Sequence, residues 1–128
     1  SKEQARELTI AGALELDRQC KENGVNFLFV YLPAPSEGQP QFFRDLLEQG
    51  LAKVEAEADV LDVYPELIDL ILAELNQRGV QTLDLRPAIR NHEGRLYWLT
   101  DLHLNIAGNG VVAAAIHDKV GELSPIGD

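Results

Sequence analysis

The stretch "GVNFLFVYLPAP", residues 24–35, decides how this chain folds. From Val25 to Leu32 it is a run of β-branched, aromatic and aliphatic side chains interrupted only by Asn26. Such a run suits a strand buried on both faces, as in a parallel sheet. Pro33 and Pro35 end it, because proline cannot donate to a sheet ladder. Upstream, residues 3–22 read as a helix: Ala5, Leu8, Ala11 and Leu14 recur at three-residue spacing with charges between them. Asn23-Gly24 is the expected glycine stop. The same order returns later. "YPELIDLILAELNQRG", residues 64–79, predicts a helix with Pro65 near its first turn and Gly79 after its last. "VQTLDLRP", residues 80–87, predicts a second strand ended by Pro87. Helix, Gly-Val, strand, proline, twice over, is what βαβ architecture looks like in a chain. The expected fold class is therefore α/β, three layers around a parallel sheet.

The remaining segments fit around these units. "SEGQPQFFRDLLEQGLAKVEAEADVLDV", residues 36–63, opens as a polar loop and continues as one or two helices, with Phe42, Phe43, Leu46 and Leu47 as the buried side. Its "EAEAD" reads as a solvated helix face. Residues 88–100 read as a loop with a short edge strand at "RLYWL". Residues 106–122 form a last helix whose "VVAAAI" core is small and apolar, as expected for tight packing on a sheet. The tail "SPIGD" is expected to fray. Two predicted strands make a thin sheet, since open sheets usually have about four to six. Either further strands are hidden in the irregular segments or part of the sheet lies outside this chain.

The 128 residues correspond to a single domain, 1–128. A net charge of −10 argues against nucleic acid and anionic membrane surfaces, whose phosphates would repel it. No apolar run approaches the roughly 20 residues of a membrane span, and "SKEQARELTI" is a polar helix opening rather than a signal peptide. The single cysteine, Cys20, excludes an internal disulfide and any multi-cysteine metal site. It reads as a structural thiol.

Chemistry concentrates in "YWLTDLHLNIAGNG", residues 97–110. Asp101 stands two residues before His103, just ahead of the last helix. In open α/β sheets chemistry sits in loops after strands. A histidine there can act as general base, and an adjacent carboxylate can fix its tautomer. Asn105 reads as the cap of the following helix and Gly108 as a point of close backbone approach. The plainer alternative is a turn-capping Asp101 beside a surface or half-buried His103.

The longer string "TDLHLNIAGNGVVAAAI", residues 100–116, resembles the last conserved block of the SGNH (GDSL-type) esterases and acyltransferases. There the Asp and His of a catalytic triad share one short loop, followed by Leu-Asn, a glycine and a small-residue helix. The spacing of two is similar to that of the alginate acetyltransferase-like enzymes of bacterial envelope polysaccharides. "GVQTLDLRPAI" and "GVNFLFVYLPAP" resemble strands of the same fold, so the similarity spans roughly residues 24–122. The resemblance implies a flavodoxin-like, SGNH-like α/β/α domain. It implies Asp101 as triad acid and His103 as general base, with Asn105 and Gly108 structural. It further implies an acyl-ester substrate, with carbohydrate as one carrier, and an extracytoplasmic or cell-envelope location. No cofactor is expected.

The family's serine nucleophile and oxyanion-hole residues have no counterpart in this sequence. Its serines are Ser1, Ser36 and Ser124. Ser36 follows a strand end but lacks the family's Gly-Asp context. The expectation is thus an incomplete domain, the C-terminal part of an SGNH hydrolase-like fold, with the nucleophile on sequence before Ser1. Such a half-domain would expose a sheet edge through which it could form a homodimer. The alternative is a non-catalytic binding module that keeps the half-fold. A metal site from Asp101, His103 and His92 is disfavoured, since His117 falls at a spacing that promises nothing. Asp84 is read as a structural aspartate bonded to loop backbone. Tyr97 and Trp98 either line a sugar subsite or pack the core.

Overall fold

A computed structural model describes residues 1–50 and 65–123. These fall into two compact units. The first comprises the described residues of 1–31, 65–84 and 119–123; the second comprises those of 32–50 and 85–118.

The first unit contains helix α1 (Lys2–Glu22), strand β1 (Leu28–Tyr31), helix α4 (Pro65–Gln77) and strand β2 (Gln81–Asp84). A capping box starts α1: Ser1 Oγ accepts from the Gln4 amide, and the Gln4 side chain accepts from the Ser1 nitrogen. Its buried side chains are Ile10, Ala13 and Asp17, not the row of Ala5, Leu8 and Ala11. Leu8 is 74% exposed. The cause is helical geometry. Three residues fall about 60° short of a turn, so a strict three-residue row winds off its face, whereas spacings of three and four alternating stay on it. Asp17, nearly buried, holds Lys21 Nζ at 2.5 Å one turn on.

Strands β1 and β2 pair in parallel, Phe29 opposite Thr82 and Tyr31 opposite Asp84. Phe27 and Phe29 pack with Leu14, Leu67 and Ile68 against a core of Ile10, Ala13, Ile71, Leu75 and Val80. Helices α1 and α4 thus cover the Phe29 face. Thr82, on that face, donates to Asn76 of α4 at 2.8 Å. Gly24 and Gly79, with φ of +66° and +82°, end the two helices in the left-handed region as their positions predict. The sheet differs from expectation in burial. All four residues of β1 are half-buried rather than buried, because the described strands number two and each pairs on one side.

The second unit holds helices α2 (Pro35–Gly38), α3 (Pro40–Glu48) and α5 (Arg86–Arg90), and helix α6 (Ile106–Glu122) begins in it. Both of its segments start where a strand ends, at Leu32 and Leu85. The opening of the 36–63 segment, expected as a polar loop, is instead helix α2 as far as Gly38, with Glu37 and Gly38 buried. Phe43 and Leu46 are buried and Phe42 and Leu47 half-buried, as the pattern predicts. The continuation to residue 63, with "EAEAD", lies outside the described residues, as do Ser124 and the rest of the tail. "RLYWL" forms no strand; Tyr97 makes an isolated antiparallel bridge to Leu104. The "VVAAAI" segment of α6 is half-buried to exposed, and only Gly108 of that helix is buried. No described helix is long and apolar enough to cross a membrane.

Candidate active site

Asp101 and His103 sit at the tip of a tight hairpin. The Trp98 amide donates to the His103 carbonyl and the Asn105 amide to the Leu96 carbonyl, both at 2.8 Å. The Tyr97–Leu104 bridge lies between these two bonds. Opposite residues of an antiparallel pair share a face, and neighbours alternate. Tyr97 is accordingly 2% exposed while Trp98 is 44% exposed, on the same side as His103. This separates the two aromatics that the sequence leaves ambiguous: Tyr97 is core and Trp98 is surface.

Three contacts tie the hairpin to its surroundings. The Tyr97 hydroxyl donates to the Pro33 carbonyl at 2.8 Å. The Gln39 side chain stands in for a neighbouring strand, accepting from the Leu96 amide at 2.9 Å and donating to the Gly94 carbonyl at 2.7 Å. Asn105 caps α6, its Oδ1 accepting from the Gly108 amide and its Nδ2 donating to the Arg95 carbonyl, both at 2.8 Å. Gly108 is pressed so closely on the hairpin that a Cβ there would stand 2.2 Å from the Leu96 carbonyl oxygen. Asn105 and Gly108 are thus structural.

The Tyr97 hydroxyl is pushed up to about 12 by burial, with the nearby Glu37 charge adding to it. Glu37 lies buried beside Arg86 at 3.5 Å and Arg90 at 3.7 Å. A raised folded pKa means that the neutral hydroxyl is favoured by the fold. Its contribution is complete below the unfolded value near 10 and fades as pH rises toward 12. A spectrophotometric titration of the folded protein is expected to show one tyrosine ionising near pH 12, and Tyr97→Phe is expected to remove that step.

At the tip, Asp101 Oδ1 accepts from the His103 amide at 3.1 Å, and Oδ2 faces His103 Nδ1 at 3.4 Å. One carboxylate therefore engages both the backbone and the ring of the same histidine. The His103 amide, and then its ring, hold the Asp101 carboxyl below the usual carboxylate range. The ring's other nitrogen, Nε2, remains for a reacting group. Both side chains are open, His103 84% and Asp101 57% exposed. Leu102 between them has φ +61°, and no other described non-glycine residue has positive φ. The left-handed region costs an L-residue about 1–2 kcal/mol.

The other candidates do not join this pair. Ser36 is a half-buried residue of α2, and Ser1 is the α1 cap. His92 lies in an exposed turn, and His117 pairs with its neighbour Asp118 at 3.4 Å. Among the described residues no three His, Cys, Asp or Glu side chains group as a metal site. Asp84 ends β2, half-buried. A cleft of about 390 Å³ lined by Gly38, Gln39, Pro40, Gln41, Phe42 and Arg90 does not include Asp101 or His103. Sequence reading missed Gln39, Glu37 and the backbone of Leu102. "GQP" after a proline-broken strand hints at a turn, but no residue type signals a left-handed leucine.

Comparison with curated proteins and with solved structures found no match. A family model does match: the SGNH hydrolase-like domain of the acetyltransferase AlgX, over residues 1–127. With nearly the whole chain inside that match, the protein belongs to the AlgX-type SGNH hydrolase-like family.

Proposed function

We propose that this domain carries the acid–base half of an SGNH-type acyl-transfer site, acting on acyl esters with carbohydrate as carrier or acceptor. The observation that carries this reading is the two-point hold of Asp101 on His103. A carboxylate at Nδ1 fixes the tautomer that leaves Nε2 able to accept a proton. His103 Nε2 takes the proton of a serine hydroxyl as the hydroxyl attacks the ester carbonyl. It then returns that proton to the leaving alkoxide, and Asp101 stabilises the imidazolium between the two events. Water or a sugar hydroxyl completes the cycle by the reverse steps. Resemblance to envelope acetyltransferases favours an extracytoplasmic location.

The nucleophile belongs to a segment other than these 128 residues. Ser36 has neither the motif of the family nor a position in the hairpin, and the openness of His103 leaves room for a second wall to the site. The test is covalent labelling. The 128-residue chain is expected to remain unlabelled by a serine-directed fluorophosphonate. A polypeptide in which it is joined to a serine-bearing SGNH segment is expected to be labelled on that serine, in a manner that His103→Ala abolishes. Stoichiometric labelling of Ser36 in the 128-residue chain would defeat this reading. Absence of labelling in every assembled form would favour a binding module without catalysis, a reading that the exposure of the pair also fits.

A further inference from the structure

We propose that Leu102 is the positioning residue of the Asp101–His103 pair, and that its left-handed backbone is what lets a spacing of two serve as an acid–base couple. This rests on the reading above, in which Asp101 orients His103.

In an extended chain, side chains two residues apart share a side but stand roughly 6.6 Å apart along the strand. That separation does not allow a carboxylate to reach both the amide and the ring of the histidine. Here the reach is 3.1 Å to the amide and 3.4 Å to the ring. Between the two residues the chain turns, and Leu102, at φ +61°, is where it turns. The turn also has to return His103 to the hairpin ladder, where its carbonyl accepts from Trp98 at 2.8 Å. One unusual dihedral therefore satisfies two requirements, the carboxylate's reach and the hairpin's register.

A glycine would adopt this conformation freely, and for that reason would also leave it freely. Leucine reaches it against its own preference, so it must be held. The Leu102 side chain is half-buried while Asp101 and His103 on either side are exposed. It is thus the residue of the three that the fold partly encloses, while its backbone sets the geometry of its neighbours. Strained backbone of this kind clusters at functional sites, where surrounding structure over-determines it.

The test reads the His103 ring in the resting protein, independent of turnover. Imidazole ¹⁵N shifts, at a pH where the ring is neutral, distinguish a proton on Nδ1 from one on Nε2; Asp101→Asn, whose NH2 in place of Oδ2 donates to Nδ1 instead of accepting from it, supplies the reference for the opposite tautomer. The wild-type ring is expected to carry its proton on Nδ1. Leu102→Asn, which tolerates the left-handed region, is expected to retain that state. Leu102→Val, whose β-branch opposes it, is expected to lower the Nδ1–H population several-fold, toward the Asp101→Asn level. Leu102→Gly, which allows the conformation without enforcing it, is expected to fall between. Amide spectra of residues outside 96–108 confirm that each variant is folded. A wild-type ring state in Leu102→Val would overturn the proposal. So would a loss in Leu102→Gly as complete as in Leu102→Val, since packing alone would then hold the pair. If Asp101→Asn leaves the ring unchanged, the pairing itself fails and the functional reading fails with it. If only the Leu102 variants are silent, that reading stands without this one.

Discussion

Gly108→Ala is expected to destabilise the second unit by about 3 kcal/mol. A methyl group at this position would meet the Leu96 carbonyl oxygen at 2.2 Å and Leu104 Cδ2 at 2.9 Å. The first of these is backbone, so no rotamer change relieves it. Either α6 or the hairpin must move by about an ångström. Overpacking of this kind costs about 1–3 kcal/mol. The movement also breaks the cap from the Gly108 amide to Asn105 Oδ1, worth about 1 kcal/mol. The Asn105 amide bond to Leu96 O shares the same backbone and is lost with it. Two nearby facts make the test specific. Gly110, two residues on in the same helix, and Gly12 in α1 have nothing within 4 Å of an added Cβ. Alanine there is expected to stabilise by up to about 1 kcal/mol through helix propensity alone. Urea midpoints at constant slope separate the outcomes. Equal effects at Gly108 and Gly110 would show that helix propensity, not the close approach, governs the site.

The same contrast shows what in this chain is legible from residues alone. The elements are: two strands in hydrophobic runs, two glycine stops at positive φ, a helix beginning after Asn105. The role of Gly108 was legible too, because a glycine one turn into a helix behind an Asn cap has few other reasons to be there. What resisted was orientation and burial. A three-residue apolar row in α1 looked amphipathic, yet it winds around the helix, and Leu8 faces solvent. The α2 segment reads as polar, yet Glu37 is buried because two arginines, fifty residues away in sequence, stand beside it. Such a partnership is non-local and leaves no trace in a sequence window. The Asp-x-His pair was readable as a pair of residue types. Its working geometry was not, since it depends on a leucine in a conformation that residue type disfavours.

His103→Ala carries the largest expected effect on chemistry. In a protein where the domain meets a nucleophilic serine, loss of the general base proposed above is expected to lower kcat by about 10²–10⁴-fold, with little change in KM. The substituted side chain is 84% exposed and belongs to no core, so the fold is expected to survive and the loss to be purely kinetic. The variant also resolves how Asp101 is held. The leading cause of its lowered pKa is the hydrogen bond from the His103 amide, and the ring contributes less. Alanine keeps the amide. The Asp101 carboxyl, followed by ¹³C NMR, is therefore expected to titrate below the usual aspartate range in His103→Ala as well. A depressed folded pKa means that the charged form is favoured at neutral pH and that this preference is lost only as pH falls through the depressed value. Return of Asp101 to the ordinary range in His103→Ala would show the ring to be the dominant partner. Retention of a low value together with lost turnover would separate the two jobs of one carboxylate: Oδ1 shapes the turn, and Oδ2 orients the base.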